Sequence, residues 1–113
     1  MKTVTLNVSS PDMARRRTAA ALRGKAQGNF ISFASAELLW KVLTAKRWEI
    51  LRAMTGQGEL AIREVARRVG RDVKAVHGDV RALVLAGVLD QAERGVVFPY
   101  DAIHVDFTLT RAA

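Results

Sequence analysis

Two short amphipathic segments, separated by a glycine, occupy residues 61–89. Apolar residues in the first segment recur at the spacing i, i+3, i+4 and i+7, which predicts one buried side of a helix; they are Ile62, Val65, Ala66 and Val69. Gly70 follows directly and is typical of the end of a helix. Asp72 is a good N-cap for a second helix over residues 73–86. The stretch therefore predicts two helices joined by a tight turn, a helix-turn-helix unit.

The second predicted helix divides into an apolar and a basic side when it is drawn at about 100° per residue. Its apolar side comprises Val73, Val76, Val80, Leu83 and Val84. Its opposite side comprises Lys74, Ala75, His77, Gly78 and Arg81. Small residues between long cations let a helix approach DNA closely, while the cations reach base edges and phosphates in the major groove. Because Gly78 lies on the basic side, we expect it to face DNA and to contribute nothing to core packing.

The basic charge of the chain predicts a polyanionic partner. The 113 residues carry 18 Lys and Arg against 11 Asp and Glu, for a net charge of +7, and such a balance favours nucleic acid. Six of the cations fall within the nineteen residues of the helix pair, namely Arg63, Arg67, Arg68, Arg71, Lys74 and Arg81. Solubility explains any one of them as readily, but the group predicts contacts with duplex DNA. Arg94, at the tip of a predicted hairpin, is a further candidate for the minor groove.

Three other helices are predicted before residue 58. The first runs from about Pro11 to Leu22, with Ser10 as N-cap. The second starts near Ser35 and is expected to bury Leu38, Leu39, Val42 and Leu43. The third is capped by Thr44 and stopped by Gly56, and its apolar residues Trp48, Ile50, Leu51 and Met54 fall on one broad face.

Strand patterns complete the predicted fold. "KTVTLNV" and "AIHVDFTL" alternate apolar and polar residues, "FISF" is short and strand-like, and "VLDQ" and "GVVF" flank "AERG" as in a hairpin. The first strand is expected to pair with the strand near Phe30–Phe33 or with a second subunit. The sequence thus predicts an α+β protein: a winged helix-turn-helix over residues 35–113 and an N-terminal strand-helix-strand extension over residues 1–34. Its apolar strand faces exceed what one small core can cover, which predicts a homodimer.

Four motifs in this order resemble one family: "ISF-S-L", "LTAKRWEILRA", "IREVARRVGRDVKAVHGDV-AL--AGVL" and "VVFPYDAIHVDFTL". They are similar to MarR-like winged-helix DNA-binding proteins of the antitoxin type found beside small RelE/ParE-like toxins. The resemblance covers roughly residues 30–109. This chain departs from the family pattern at two positions. It has Gly78 where the family usually carries a basic residue, and Ala61 where a capping Ser or Thr is expected. The resemblance implies a homodimeric repressor of transcription that binds duplex DNA, regulates its own operon and neutralises a small cognate toxin protein.

Two alternatives remain open at this point. One is a free-standing MarR-like regulator that responds to a small ligand, which an apolar cavity between the N-terminal helix and Trp40 would favour. The other is a winged helix that binds RNA or protein. RNA-binding modules often expose aromatic residues for stacking, and the basic side of the second helix has no Phe, Tyr or Trp.

Several classes of protein and site are disfavoured. Without cysteine the chain has neither disulfides nor thiolate zinc sites, which fits a reducing compartment, the cytoplasm. No apolar run approaches the ~20 residues that a membrane helix needs, so no membrane is expected. His77 and His104 are far apart in sequence, and no serine, histidine and acid arrangement is evident. We therefore expect no metal, no cofactor and no enzymatic activity.

Asp79 lies beside the apolar side of its helix, where an unpaired carboxylate would be costly. We expect it to bond Arg47 or Arg67 and so to orient a DNA-contacting arginine. Trp40 and Trp48 are interpreted as core or interface aromatics. "RRR" at residues 15–17 fits a phosphate contact, a solvated face or a site for an acidic partner equally well.

Overall fold

The structure, a computed structural model, describes residues 1–8 and 29–108. Its strands are β1 (Thr3–Val8), β2 (Asn29–Phe33), β3 (Asp90–Gln91), β4 (Val96–Val97) and β5 (Ala102–Asp106). Its helices are α1 (Ala36–Val42), α2 (Ala45–Met54), α3 (Ile62–Val69) and α4 (Val73–Leu85). The mixture confirms the predicted α+β class. The helix predicted from Pro11 to Leu22 and the "RRR" segment lie outside the described residues.

A three-stranded parallel sheet holds the two ends of the described chain together. Its strand order is β2-β1-β5, so β1 is central, and Leu6 is aligned with Ile31 on one side and Val105 on the other. The expected pairing of β1 with the strand near Phe30–Phe33 is confirmed. Val4 and Leu6 are fully buried on the face that α1 covers. The sheet thus joins β1 and β2 to β5, and all three strands contribute to one apolar core.

The predicted helix boundaries agree with the capping contacts. The Ser35 hydroxyl accepts a hydrogen bond from the backbone of Leu38 at 3.2 Å. The Thr44 hydroxyl accepts one from the backbone of Arg47 at 3.3 Å. Each bond satisfies a backbone N–H that a helix start leaves without a partner. The starts of α1 and α2 are therefore fixed by short-range sequence signals.

Two residues expected to be buried are exposed, and so is Trp48, which the sequence assigns to the core or to an interface. Leu38 is 46 % exposed, Trp48 is 41 % exposed and Val73 is 41 % exposed. Leu38 lies on a helix of only seven residues, in which Leu39 contributes to the core. Val73 is the first residue of α4, and only later residues of this helix pack in the core. The buried side of α2 is narrower than the predicted face, because it comprises only Ile50, Leu51 and Met54.

The hairpin of β3 and β4 is attached to the helices by a third segment. β3 and β4 pair antiparallel over two residues each, as expected for a hairpin but with shorter strands. Leu60 and Val96 exchange two backbone hydrogen bonds of 2.9 Å, a contact that the sequence did not reveal. Gly95 lies against this contact, and a Cβ placed on it would be 2.1 Å from the Leu60 carbonyl oxygen. Only glycine fits here without a shift of the backbone.

Candidate nucleic-acid interface

The turn between α3 and α4 is built by Gly70 and Asp72. Gly70 has a φ of 67°, the left-handed conformation that glycine adopts at little cost, and it ends α3 as predicted. The Asp72 carboxylate accepts hydrogen bonds from the backbone of Lys74 at 3.1 Å and Ala75 at 3.4 Å. Ala61, at the start of α3, offers no side-chain cap. Without a side-chain cap, α3 is less stable by about 1 kcal/mol than it would be with Ser or Thr at this position.

α4 buries one side and presents the other to solvent. Val76, Val80 and Leu83 are at most 2 % exposed and anchor the helix in the core. The residues on the opposite side are all exposed, and we call them the outward face: Lys74, Ala75, His77, Gly78 and Arg81. The sequence-predicted division of this helix is therefore confirmed, apart from Val73.

Gly78 lies in open space at the centre of the outward face. A Cβ placed on it would meet no heavy atom within 4 Å outside its own helix backbone. This confirms the prediction that Gly78 is not packed where helices cross. The glycine leaves a shallow place on the helix surface, with Lys74 four residues before it and Arg81 three residues after it.

The cations of the outward face have no protein partner within residues 1–8 and 29–108. Lys74 and Arg81 are exposed, and neither side chain forms an ion pair or hydrogen bond there. Arg63, on α3, is exposed and unpaired in the same sense. These three side chains are free to contact an anion without first breaking a contact within the protein.

Arg67 and Arg68 lie on the same helix as Arg63 but are held by a carboxylate. Glu64 accepts two hydrogen bonds from Arg67, at 2.6 and 2.7 Å, and one from Arg68 at 2.9 Å. Bonds from Arg67 and then Arg68 lower the pKa of Glu64 to about 2, and the same bond with Glu64 raises the pKa of Arg67. The pairing is on the surface, where ion pairs contribute little stability.

Asp79 links two arginines from different parts of the fold. Its carboxylate accepts a hydrogen bond from Arg47 Nε at 3.1 Å and another from Arg71 Nη2 at 2.8 Å. Partial burial alone would raise the pKa of Asp79, but the bonds from Arg71 and Arg47 outweigh it and lower this pKa. Arg47 also donates to the carbonyl oxygens of Lys41 and Val42, which ends α1. The cluster therefore ties α1, α2 and the α3–α4 turn to α4.

The prediction that Asp79 bonds Arg47 or Arg67 is confirmed, and Arg47 is the partner. Arg67, the alternative, is bound to Glu64. Arg67 follows Glu64 by three residues on one helix, so the two side chains meet locally. Arg71, predicted as a DNA contact, is only 18 % exposed and bonds Asp79, while its Nη1 atom is buried with no partner. The spacing of Arg71 and Asp79 could have predicted this contact. Arg71 lies between α3 and α4, and Asp79 follows it by eight residues, about two helical turns into α4.

Arg94 lies at the tip of the hairpin. Its backbone N–H donates to the Glu59 carboxylate, and a hydrogen bond of 2.8 Å from Ala92 to Gly95 closes the turn behind it. Its guanidinium is exposed and has no partner in the part of the chain that the structure describes. The backbone is thus fixed at two points while the side chain stays available.

Two kinds of feature are missing from residues 1–8 and 29–108. No three His, Cys, Asp or Glu side chains come together in a group that could hold a metal ion. No helix there is both long enough and apolar enough to cross a membrane.

Comparison with known proteins places the chain in a family. Neither a curated protein nor a solved structure gives a significant match. The sequence model of the HVO_A0114 family matches residues 42–105, which span α2, α3, α4, the hairpin and most of β5. The match covers more than half of the 113 residues, including the candidate contact residues of α3, α4 and the hairpin. The chain therefore belongs to the HVO_A0114 family.

Proposed function

We propose that this protein binds duplex DNA and that α4 is its recognition helix. The observation that carries the proposal is the outward face of α4, in which the unpaired Lys74 and Arg81 flank the open surface at Gly78. The apolar side of the same helix fixes its position in the core. A helix held in this way can enter a major groove about 12 Å wide without leaving its own fold.

The order of elements supports a winged helix-turn-helix. α3 and α4 form the helix pair, and the β3–β4 hairpin follows α4 directly. Leu60, just before α3, bonds to Val96 of the hairpin and so holds the hairpin beside the helix pair, which supports its assignment as a wing. Arg94 then lies at the wing tip, where an arginine can reach a neighbouring minor groove.

Phosphate contacts should supply most of the affinity. Lys74, Arg81, Arg63 and Arg94 are long, exposed cations, whereas Ala75 and Gly78 carry no side-chain donor. Base readout is then limited to the reach of Lys74, His77 and Arg81, and to apolar contact between Ala75 and a thymine methyl group. The outward face carries no Phe, Tyr or Trp on which an unpaired base could stack, which favours duplex DNA over RNA.

The experiment is a salt titration of binding to duplex DNA. The logarithm of the association constant should fall with the logarithm of the salt concentration, by about 0.9 for each phosphate neutralised. Lys74→Ala and Arg81→Ala should each reduce that slope by about 0.9. Lys41→Ala is the matched control, because it removes the same charge from α1 and should leave the slope unchanged. A flat salt response, or tighter binding to RNA than to duplex DNA, would contradict the proposal.

We further propose that binding represses transcription, with neutralisation of a small toxin as a second role. This part rests on the resemblance of the four sequence motifs to MarR-like antitoxins. A reporter gene under the chain's own promoter tests repression, which Lys74→Ala with Arg81→Ala should abolish. Co-expression with a toxin-like neighbouring gene tests neutralisation, and continued toxicity would contradict that role.

A further inference from the structure

β5 has an open edge. It is the outer strand of the order β2-β1-β5, and no described strand pairs with its far side. The unpaired backbone N–H and C=O groups of an edge strand offer a template for another strand. β5 carries neither proline nor lysine, two of the residue types that commonly block such pairing.

The residues of β5 are arranged so that the strand complements itself. Ile103, Val105 and Phe107 are half-buried on one face, while His104 and Asp106 are exposed on the other. If two copies of this strand run antiparallel about a two-fold axis at Val105, each His104 lies opposite an Asp106. On the apolar face, each Ile103 then lies opposite a Phe107. An imidazole N–H can donate to a carboxylate, so the register places a donor against an acceptor at both ends.

An apolar groove of about 450 Å³ adjoins the same edge and includes Val105. Trp40 and Trp48 line it and are 48 % and 41 % exposed. The Trp40 ring contacts Phe107 edge-on, with 5.7 Å between the ring centroids. The groove is also lined by one acidic and one basic residue, Glu49 and Arg52. A surface with both signs can match a second copy of itself, as a two-fold interface requires.

We propose that a second copy of this chain pairs with β5 antiparallel, in the register centred on Val105. The two sheets then form one sheet of six strands, and the tryptophan groove is covered from the partner's side. The proposal uses none of the residues assigned to DNA binding, so either can fail while the other holds. It gives the homodimer expected from the sequence a specific interface.

The first test measures association by light scattering and sedimentation equilibrium. The native chain should have twice its monomer mass of 12.4 kDa. His104→Asp places a carboxylate opposite the partner's Asp106 at both ends, and should weaken association about 2- to 30-fold. Combining His104→Asp with Asp106→Lys restores opposite charges and should restore association. Both side chains are exposed, and far-UV circular dichroism shows whether each variant stays folded.

The second test reads the register directly. The native chain has no cysteine, so Val105→Cys introduces a single thiol at the two-fold axis. Opposite residues in an antiparallel pair lie about 4.5–5.5 Å apart between Cα atoms, within disulfide range. Val105→Cys should therefore form a disulfide-linked dimer under mild oxidation. His104→Cys is the control, because two such residues would be roughly 8 Å apart and should not link.

Three outcomes would overturn the proposal. One is a monomer mass at the highest soluble concentration. Another is a dimer whose association His104→Asp leaves unchanged. The last is cross-linking of His104→Cys as efficient as that of Val105→Cys.

Discussion

Lys74 and Arg81, on the outward face of α4, have no partner among the described residues, whereas four other arginines near the same helix all donate to a carboxylate. We call these four the paired arginines: Arg47, Arg67, Arg68 and Arg71. Both groups consist of positively charged residues, and all of them except Arg47 lie within residues 67–81. They differ in what must be broken before an anion can bind, and a count of charges does not show that difference.

The paired arginines are themselves of two kinds. Glu64 holds Arg67 and Arg68 on the surface, where a DNA phosphate can compete for them at little cost. Asp79 holds Arg47 and Arg71 at side chains that are only 18–21 % exposed. Removing one member there leaves a charge without a partner in a partly buried place. If the proposed function holds, the first pair adds to DNA binding, whereas the second pair is expected to stabilise the fold.

Gly78 and Gly95 show a similar contrast between a free and an occupied position. Gly78 has open space where a Cβ would lie, and Gly95 has the Leu60 backbone there. The same substitution to alanine should therefore have opposite effects at the two positions. These two alanine substitutions, together with one substitution at Asp79 and one at Glu64, test how far the outward face differs from its surroundings.

Asp79→Ala should have the largest effect. It leaves Arg47 and Arg71 without their shared carboxylate, and we expect the free energy of unfolding to fall by about 3 kcal/mol. The melting temperature should fall by roughly 10 °C or more. Urea unfolding at neutral pH measures the change. Asp90→Ala is the control: this exposed carboxylate has no described partner, and its removal should change the stability by less than about 0.5 kcal/mol.

The pH dependence provides an independent check on Asp79. Its pKa is lower in the folded protein than its ordinary value. The carboxylate therefore contributes stability above the ordinary pKa of about 4, and this contribution is lost as the pH falls through the lowered value. The stability difference between the native chain and Asp79→Asn should shrink over that range. A difference that stays constant down to the acid transition would contradict the ion-pair role.

Gly95→Ala should have the next largest effect on stability. The new methyl group would overlap the Leu60 carbonyl oxygen, so the hairpin or the start of α3 must shift. We expect a loss of about 1–3 kcal/mol, as for other overpacked sites. Thermal melting measures it, and an unchanged midpoint would show that the β3–β4 hairpin is not held against Leu60.

Glu64→Gln should strengthen DNA binding. The substitution releases Arg67 and Arg68 from their carboxylate, so both can contact phosphates without competition. We expect an increase of up to about fivefold at low salt and less at high salt. Glu37→Gln removes the same charge from α1 and should leave the affinity nearly unchanged. Weaker binding by Glu64→Gln would mean that Glu64 positions the two arginines for DNA.

Gly78→Ala should have the smallest effect and the opposite sign to Gly95→Ala. Alanine is the better helix former, and nothing obstructs its methyl group, so stability should rise by up to about 1 kcal/mol. Thermal melts of the two alanine variants, measured together, test the comparison directly. A midpoint lowered by several degrees in Gly78→Ala would place the residue in a packed contact.

The sequence by itself determined the helices of the described residues, the residues that cap them and, apart from Val73, the two sides of α4. Thr44, Gly70 and Asp72 act on backbone groups within a few residues of themselves, so their roles follow from local spacing. The exposure of Gly78 likewise follows from its angular position on α4, on the side opposite the buried residues. Such features do not depend on where the rest of the chain lies, and they were predicted correctly.

Only the tertiary structure decided which distant groups meet. Asp79 had two candidate arginines by sequence, and the packing of the α3–α4 turn selected Arg47 and added Arg71. The contact of Leu60 with Val96 joins residues 36 positions apart. The parallel order β2-β1-β5 and the exposure of Trp48 likewise result from how whole elements are placed. Periodicity shows which side of an element is apolar, but the core can cover only part of that side, and the positions of the neighbouring elements determine which part.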